Sequence, residues 1–244
     1  MRADKLDKAV QGFLALMQER HDVLGAMLTG SYVTGTMMPH SDIDVFFIWQ
    51  DEGRSMRGCT VFEGVAFEYF FSPVWKYRDR LKKDLVAQQI YAKGRIVLDT
   101  GGVFQAIKEE ALRRVAAYAP VLSPQDRADL SFQVETVMKD GLDLQMAGRG
   151  EDFRFLAGKN IPFLCDVAAK VHKQYPVYQK YAMEQLRALD PSLAAHLRSL
   201  YQAAAGQELL AAWQALCSHV LGLLGDVDNS NYQSVVMISE KEST

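Results

Sequence analysis

A short acidic motif, Asp42-Ile43-Asp44, is the part of the sequence whose residue types and spacing indicate chemistry most directly. It opens an apolar run typical of a strand, and side chains two positions apart on a strand project from the same face. Asp42 and Asp44 would therefore stand side by side and repel each other unless a cation joins them. Carboxylate oxygens suit Mg²⁺, which takes its remaining ligands from water and substrate phosphates. We predict a magnesium site at this pair.

A glycine–serine pair, Gly30-Ser31, precedes the acidic motif and follows the apolar run 23–28. This order predicts a strand, a turn and then a helix. Such a turn presents free backbone N–H groups and a hydroxyl, which bind phosphate oxygens. We therefore predict that Gly30 and Ser31 hold the phosphates of a nucleotide.

A third carboxylate is expected, because two metal ions flanking one phosphorus need more ligands than two side chains supply. Glu68 is the first candidate, since it is the only charge in an apolar run, where it would be costly without a partner. Alternation places Ala66, Glu68 and Phe70 on one face of this strand. Glu63, nearer the predicted hairpin turn, is the second candidate. An ion pair between Glu68 and a lysine or arginine is the alternative role for that residue.

The order of these residues resembles that of the nucleotidyltransferase superfamily with the DNA polymerase beta-like fold. The likeness covers roughly the first 100 residues and rests on Gly30, Ser31, Asp42, Asp44 and Glu68. It implies transfer of a nucleoside monophosphate, AMP from ATP in the first instance, to a hydroxyl group with release of pyrophosphate. It also implies a pair of Mg²⁺ ions held by Asp42, Asp44 and Glu68, with ATP or another nucleoside triphosphate as co-substrate.

The second half of the chain resembles the helical bundle of antibiotic nucleotidyltransferases of the aminoglycoside or lincosamide type, which implies a hydroxylated small molecule as acceptor. The stretch Val171–Tyr181 is similar to one found in some relatives and makes Lys180 a candidate ligand of the triphosphate. The alternative is that Lys180 is a solvated surface residue. The resemblance leaves the general base open among four carboxylates, Glu68, Glu135, Asp140 and Asp143.

The elements around these motifs predict two domains, a nucleotidyltransferase catalytic domain over 1–118 and an α-helical domain over 119–244 that borders the substrate and nucleotide cleft. The first is expected to be α/β, a short mixed sheet with flanking helices. Its predicted helices cover 4–20, 75–91 and 103–117, and its predicted strands cover 23–28, 43–49, 59–63, 65–71 and 95–98. The second is expected to be a helical bundle, with helices over 124–147, 152–174, 178–188, 191–204 and 206–224.

Composition limits the partners. The net charge of −3, from 27 basic and 30 acidic residues, argues against a dedicated nucleic-acid binder, because contacts with phosphates need basic surface. The three cysteines lie far apart, which indicates neither a disulfide framework nor a zinc site. The charged N-terminal residues and the lack of a long apolar segment predict a cytoplasmic protein without membrane contact. Nothing in the sequence indicates an oligomeric state.

Two other functions are compatible with the same residues. One is a non-catalytic nucleotide-binding or regulatory module that kept the fold, and the other is an RNA-tailing nucleotidyltransferase. A complete set of carboxylates argues against the first, because a degenerate site would have lost one. The lack of a basic tract disfavours the second.

Overall fold

The computed structural model describes residues 3–234 and divides the chain into two compact units. The first unit ends at Ala117 and the second begins at Tyr118. The boundary predicted from the sequence, between residues 118 and 119, lies one residue further along. Among the helices between residues 3 and 234, none combines the length and apolar character that a bilayer crossing requires.

A mixed five-stranded sheet forms the centre of the first unit. Its strands are β1 (Val23–Thr29), β2 (Ile43–Trp49), β3 (Met56–Phe62), β4 (Val65–Ser72) and β5 (Arg95–Asp99), in the spatial order β3-β4-β2-β1-β5. Strands β2 and β4 run parallel, whereas the other neighbours run antiparallel. The β3–β4 hairpin turns through Glu63-Gly64, whose φ angles of 49° and 77° fit a tight two-residue turn. The predicted hairpin is confirmed.

Helices cover both faces of this sheet. They are α1 (Ala3–Arg20), α2 (Gly30–Thr34), α3 (Val74–Lys83), α4 (Leu85–Lys93) and α5 (Val103–Ala117). Helix α1 packs on one face, where Phe13 stacks on Phe67 with ring centroids 4.2 Å apart. Helices α3, α4 and α5 pack on the other face around the buried rings of Tyr77, Tyr91 and Phe104. This arrangement confirms the α/β fold expected for the N-terminal half.

Cross-strand aromatic pairs support the register of β2 and β4. Phe46 lies opposite Phe70 and Phe47 lies opposite Phe71, with ring centroids 4.7 and 4.5 Å apart and nearly parallel planes. One pair lies on each face of the sheet, because successive side chains alternate. Pairs of this kind each stabilise a sheet by about 0.2–1 kcal/mol. A slip of one residue would exchange the two faces, so both pairs favour a single register.

The prediction of one helix over 75–91 is wrong, because α3 and α4 are separate helices that meet at Asp84. The Asp84 carboxylate accepts hydrogen bonds from the backbone N–H groups of Val86 and Ala87 at 2.9 and 3.0 Å, which is an N-cap. Burial would raise the pKa of Asp84, but the Arg80 guanidinium and these two amides outweigh burial and lower it. Neither proline nor glycine marks the junction, so the apolar spacing gives no sign of the break.

A bundle of helices forms the second unit, as predicted. Its helices are α6 (Pro124–Met146), α7 (Gly150–Val171), α8 (Ala182–Leu189), α9 (Pro191–Gln202) and α10 (Gln207–Leu224). Its core surrounds the fully buried Trp213, whose indole N–H donates to the backbone oxygen of Met138 at 3.2 Å. The prediction of a helix over 178–188 is wrong in its first turn, which is a 3₁₀ turn over Gln179–Tyr181 that precedes α8.

A buried aspartate, Asp190, connects three helices of the bundle. It caps α9 by accepting a hydrogen bond from the backbone N–H of Leu193 at 2.9 Å. Its other oxygen lies 2.8 Å from Nε2 of His219 and 3.3 Å from Nε2 of His172. Burial would raise the pKa of Asp190, but the bonds from His219, Leu193 and His172 outweigh burial and lower it.

Replacing Asp190 by alanine is expected to lower the free energy of unfolding by about 2–4 kcal/mol, since a helix cap and the partner of two histidines are lost. The folded-state pKa lies below 3.8, so this contribution is complete above that pH and disappears as the pH falls through the folded-state pKa. Urea denaturation at neutral pH measures the loss. Asp152→Ala is the control, because Asp152 is exposed and its ion pair is with the exposed Arg149. Equal stability of the two variants would contradict the prediction.

Candidate functional site

Three carboxylates converge on the sheet face that packs against α3, α4 and α5. Asp44 lies directly opposite Glu68 in the parallel pairing of β2 and β4, and Asp42 comes two residues earlier on the same side. One oxygen from each of the three lies within 4.8 Å of the others. The structure thus brings together Asp42, Asp44 and Glu68, which the sequence analysis singled out; we call them the acidic cluster. Charges this close repel one another, and a cation between them relieves the repulsion.

The position of Asp42 follows from a turn and from the buried side of β2. In the turn, the Met38 N–H donates to Ser41 Oγ at 2.8 Å and the Ser41 N–H donates to the Met38 backbone oxygen at 2.9 Å. The strand then begins with Ile43, which is fully buried in the core beneath α1. Because side chains alternate, Asp42 and Asp44 must face the opposite side of the sheet.

Gly30 allows the chain to pass directly beside the acidic cluster. Its φ angle is +69°, and a Cβ atom at this position would overlap the Asp44 carboxylate. Ser31 is the next residue, in the short helix α2, and is half-buried. Between residues 3 and 234 no partner hydrogen-bonds to its hydroxyl, which leaves that group available to a ligand. The predicted phosphate-binding pair therefore adjoins the predicted metal site.

Glu68 also forms an ion pair with Arg57 on β3, which the sequence analysis did not single out. Glu68 Oε1 accepts a hydrogen bond from Arg57 Nε at 2.7 Å and lies 2.5 Å from the Nη2 atom. The Arg57 side chain is 70% exposed, so the pair contributes at most about 1 kcal/mol to stability. Both roles considered for Glu68, membership of an acidic cluster and an ion pair with a basic residue, are present together. The sequence offered no signal for this pair, because Arg57 precedes the strand predicted over 59–63 and its nearness to Glu68 depends on the β3–β4 register.

The other predicted residues lie elsewhere. Glu63 occupies the hairpin turn and lies outside the acidic cluster. Lys180 lies in the 3₁₀ turn of the second unit, where it is exposed and its ammonium is 5.9 Å from the ring centroid of Tyr181. It lines a cavity of about 550 Å³ formed by residues of that unit. Contact between Lys180 and a triphosphate stays a prediction.

The alternative general bases all lie on α6 of the second unit. Asp140 and Asp143 are exposed. Glu135 accepts hydrogen bonds from Lys139 at 3.0 Å and from Asn229 at 2.8 Å. These two bonds lower the pKa of Glu135, which makes it a weaker base. A role in catalysis for any of the three stays a prediction.

Comparison with known proteins identifies the first unit. Residues 10–117 match the model of a family described as nucleotidyltransferase domain. Among solved structures, one similar to this chain is the nucleotidyltransferase-like protein from Exiguobacterium sibiricum 255-15, which is 13% identical, with a TM-score of 0.49 over 89% of this chain and 74% of that chain. The comparison with curated proteins finds no match. The first unit is a nucleotidyltransferase domain and belongs to the nucleotidyltransferase superfamily.

The residues present fit the cofactors of that superfamily. A nucleotidyltransferase domain acts on a nucleoside triphosphate and typically uses a divalent metal ion. The acidic cluster offers carboxylate oxygens from three side chains within 4.8 Å, a donor set that suits Mg²⁺ and leaves positions for water and phosphate oxygens.

Gly30→Ala is expected to weaken metal binding, whereas Gly35→Ala is expected to leave it unchanged. Both glycines have φ near +70°, so each variant loses about 1 kcal/mol of stability from backbone strain. Only the methyl group at position 30 displaces the Asp44 carboxylate, because nothing lies within 4 Å of a Cβ atom at Gly35. Titration with Mn²⁺, followed by electron paramagnetic resonance, measures the affinity. Equal Mn²⁺ affinities in the two variants would show that Gly30 does not protect the geometry of Asp44.

Proposed function

We propose that this protein transfers a nucleoside monophosphate, AMP from ATP in the first instance, to a hydroxyl group of a small-molecule acceptor. The observation that carries the proposal is the convergence of Asp42, Asp44 and Glu68 inside a nucleotidyltransferase domain. A non-catalytic relative would have no need to keep three carboxylates so close together. A net charge of −3 is unfavourable for an RNA acceptor, which favours a small molecule.

The reaction forms a bond between the acceptor oxygen and the α-phosphorus and breaks the bond to the bridging oxygen, which leaves with pyrophosphate. Asp42 and Asp44 would hold the divalent ions, and Glu68 would complete their ligand set. Gly30 and Ser31 bind the terminal phosphates through a backbone N–H and a hydroxyl. The ions, when bound, neutralise the leaving pyrophosphate and lower the pKa of the acceptor hydroxyl.

A base must take the proton of the acceptor hydroxyl. Glu68 is the candidate inside the acidic cluster, and Glu135, Asp140 and Asp143 are the candidates on α6.

Lys180 is proposed as a further ligand of the triphosphate. Because Lys180 is exposed, its replacement tests that role without cost to folding.

The direct test is pyrophosphate release. The protein is incubated with Mg²⁺, each nucleoside triphosphate in turn, and a panel of hydroxylated small molecules that includes aminoglycosides and lincosamides. Release that requires both the metal ion and an acceptor supports the proposal. Triphosphate binding without release, under every condition of the panel, would favour a regulatory nucleotide-binding module instead.

ATP is expected to raise the melting temperature when Mg²⁺ is present and to have little effect when EDTA replaces it. A ligand that binds only the folded state stabilises it by mass action, by about 2.7 kcal/mol at a concentration of one hundred times its Kd. Differential scanning fluorimetry measures the shift. Equal shifts in Mg²⁺ and in EDTA would count against a metal-bridged site.

Asp44→Asn and Glu68→Gln are expected to keep the fold but to fail at different stages. Asp44→Asn removes a carboxylate that would hold the divalent metal, so triphosphate binding and turnover are both lost. Its melting temperature without metal is unchanged or slightly raised, because a repulsion has been removed. Glu68→Gln keeps much of the triphosphate affinity and lowers turnover by roughly a hundredfold or more, since the acceptor-side ligand is lost.

Asp51→Asn is the matched control for these carboxylate variants. Asp51 pairs with the exposed Arg54 in the loop after β2 and lies outside the acidic cluster. Full turnover in Asp44→Asn, with Asp51→Asn behaving identically, would overturn the assignment of the site.

A further inference from the structure

A cavity of about 260 Å³ in the first unit begins where the acidic cluster ends; we call it the basic pocket. Its floor includes Phe46 and Phe70, which lie two residues beyond Asp44 and Glu68 on the same face of β2 and β4. Two residues of strand span roughly 7 Å, so the floor is within the length of a small molecule from the carboxylates. Arg57 joins the two places, because it lines the pocket and binds Glu68.

The charged residues that line the basic pocket are all cations. They are Arg57, Lys76 and Arg80, and no acidic residue is among the described residues of the lining. Arg57 is paired with Glu68, and Arg80 is paired with Asp84 at 2.8 Å. Lys76 differs from both, because it is half-buried and, between residues 3 and 234, pairs with no carboxylate. A half-buried cation without a counter-ion is a place where an anion would bind favourably.

A hydroxyl group in the wall also lacks a partner. Tyr91 lines the pocket and is fully buried, and no described residue offers its hydroxyl a hydrogen bond of normal geometry. Leaving such a group unsatisfied costs about 1–3 kcal/mol. Burial raises the pKa of Tyr91 to about 12, against the opposing effect of Arg80, so the hydroxyl keeps its proton. Ser72, also in the lining, is nearly buried, and its hydroxyl donates to Ser55 Oγ at 3.2 Å.

The order of the strands separates this pocket from the predicted phosphate-binding turn. Gly30-Ser31 follows β1, on one side of β2, whereas Glu68 and Arg57 lie on β4 and β3, on the other side. The turn and Arg57 of the basic pocket therefore lie on opposite sides of β2, which favours the second substrate, rather than the triphosphate, as the ligand of the pocket.

We propose that the acceptor carries an anionic group, a phosphate or a carboxylate, that binds in the basic pocket while its hydroxyl lies at Glu68. Lys76 supplies the charge, and its ammonium donates hydrogen bonds to the anion's oxygens. A volume of about 260 Å³ suits the anionic end of a small molecule. This inference rests on the proposed function for the identity of the ligand as acceptor, but the pocket can be tested without turnover.

Binding is tested first, by isothermal titration with three probes that share a carbon skeleton: glycerol, glycerol 3-phosphate and glycerate. The wild-type protein is expected to bind at least one of the two anions and not glycerol, and the anion bound distinguishes phosphate from carboxylate recognition. Lys76→Gln is expected to weaken that binding by about tenfold or more, and Lys76→Arg to retain it. Lys82→Gln is the matched control, because Lys82 is on the same helix but is exposed and outside the pocket lining.

Equal affinity of Lys76→Gln and Lys82→Gln for the bound anion would overturn the inference. So would binding of neither anion by the wild-type protein. The titration is repeated with Mg²⁺ and α,β-methylene ATP present. Loss of anion binding by direct competition would assign the pocket to the triphosphate and overturn the inference as well.

Pyrophosphate release separates this inference from the proposed function. Acceptors are compared as matched pairs, glucose with glucose 6-phosphate and with gluconate, and only the anionic members are expected to be used. Turnover of neutral acceptors that is equal in wild type and Lys76→Gln would leave the proposed function intact and overturn the inference. Lys76-dependent anion binding without any pyrophosphate release would support the basic pocket as an anion site and would contradict the proposed transfer reaction.

Discussion

The candidate site depends on the parallel register between β2 and β4. Asp44 faces Glu68 only while Phe46 stacks on Phe70 and Phe47 on Phe71. A slip of one residue would move the Glu68 charge to the face beneath α1, among buried rings, at a cost of several kcal/mol. The apolar contacts that stabilise the sheet therefore also set the distances between the carboxylates.

Local patterns predicted the parts of the site that depend on one segment. The period of two along a strand was enough to place Asp42 and Asp44 on one face, and a single charge in an apolar run was enough to select Glu68. Arg57 and Lys76 escaped the sequence analysis for a common reason. Their positions depend on pairing between β3 and β4 and on the docking of α3, which no local spacing encodes. The break at Asp84 was missed because the Asp84 side chain caps the start of α4 without interrupting the apolar pattern that runs through α3 and α4.

One sheet face carries two opposite charge environments. Carboxylates crowd together near the beginning of β2, and cations line the basic pocket two residues further along the strands. Arg57 stands between them and partly balances the acidic cluster through Glu68. A molecule with a hydroxyl at one end and an anionic group at the other would be oriented by this arrangement before any reaction begins, because the cations of the basic pocket attract the anionic group.

Each unit has an apolar core of its own. The cores of the first unit lie on the two faces of the sheet, and that of the second surrounds Trp213. The family match ends at residue 117, where the first unit ends. Mutations can therefore accumulate inside the bundle without altering the β2–β4 pairing. The helical half of such a protein can therefore diverge in evolution, together with any substrate selectivity that it provides, while the geometry of the three carboxylates stays the same.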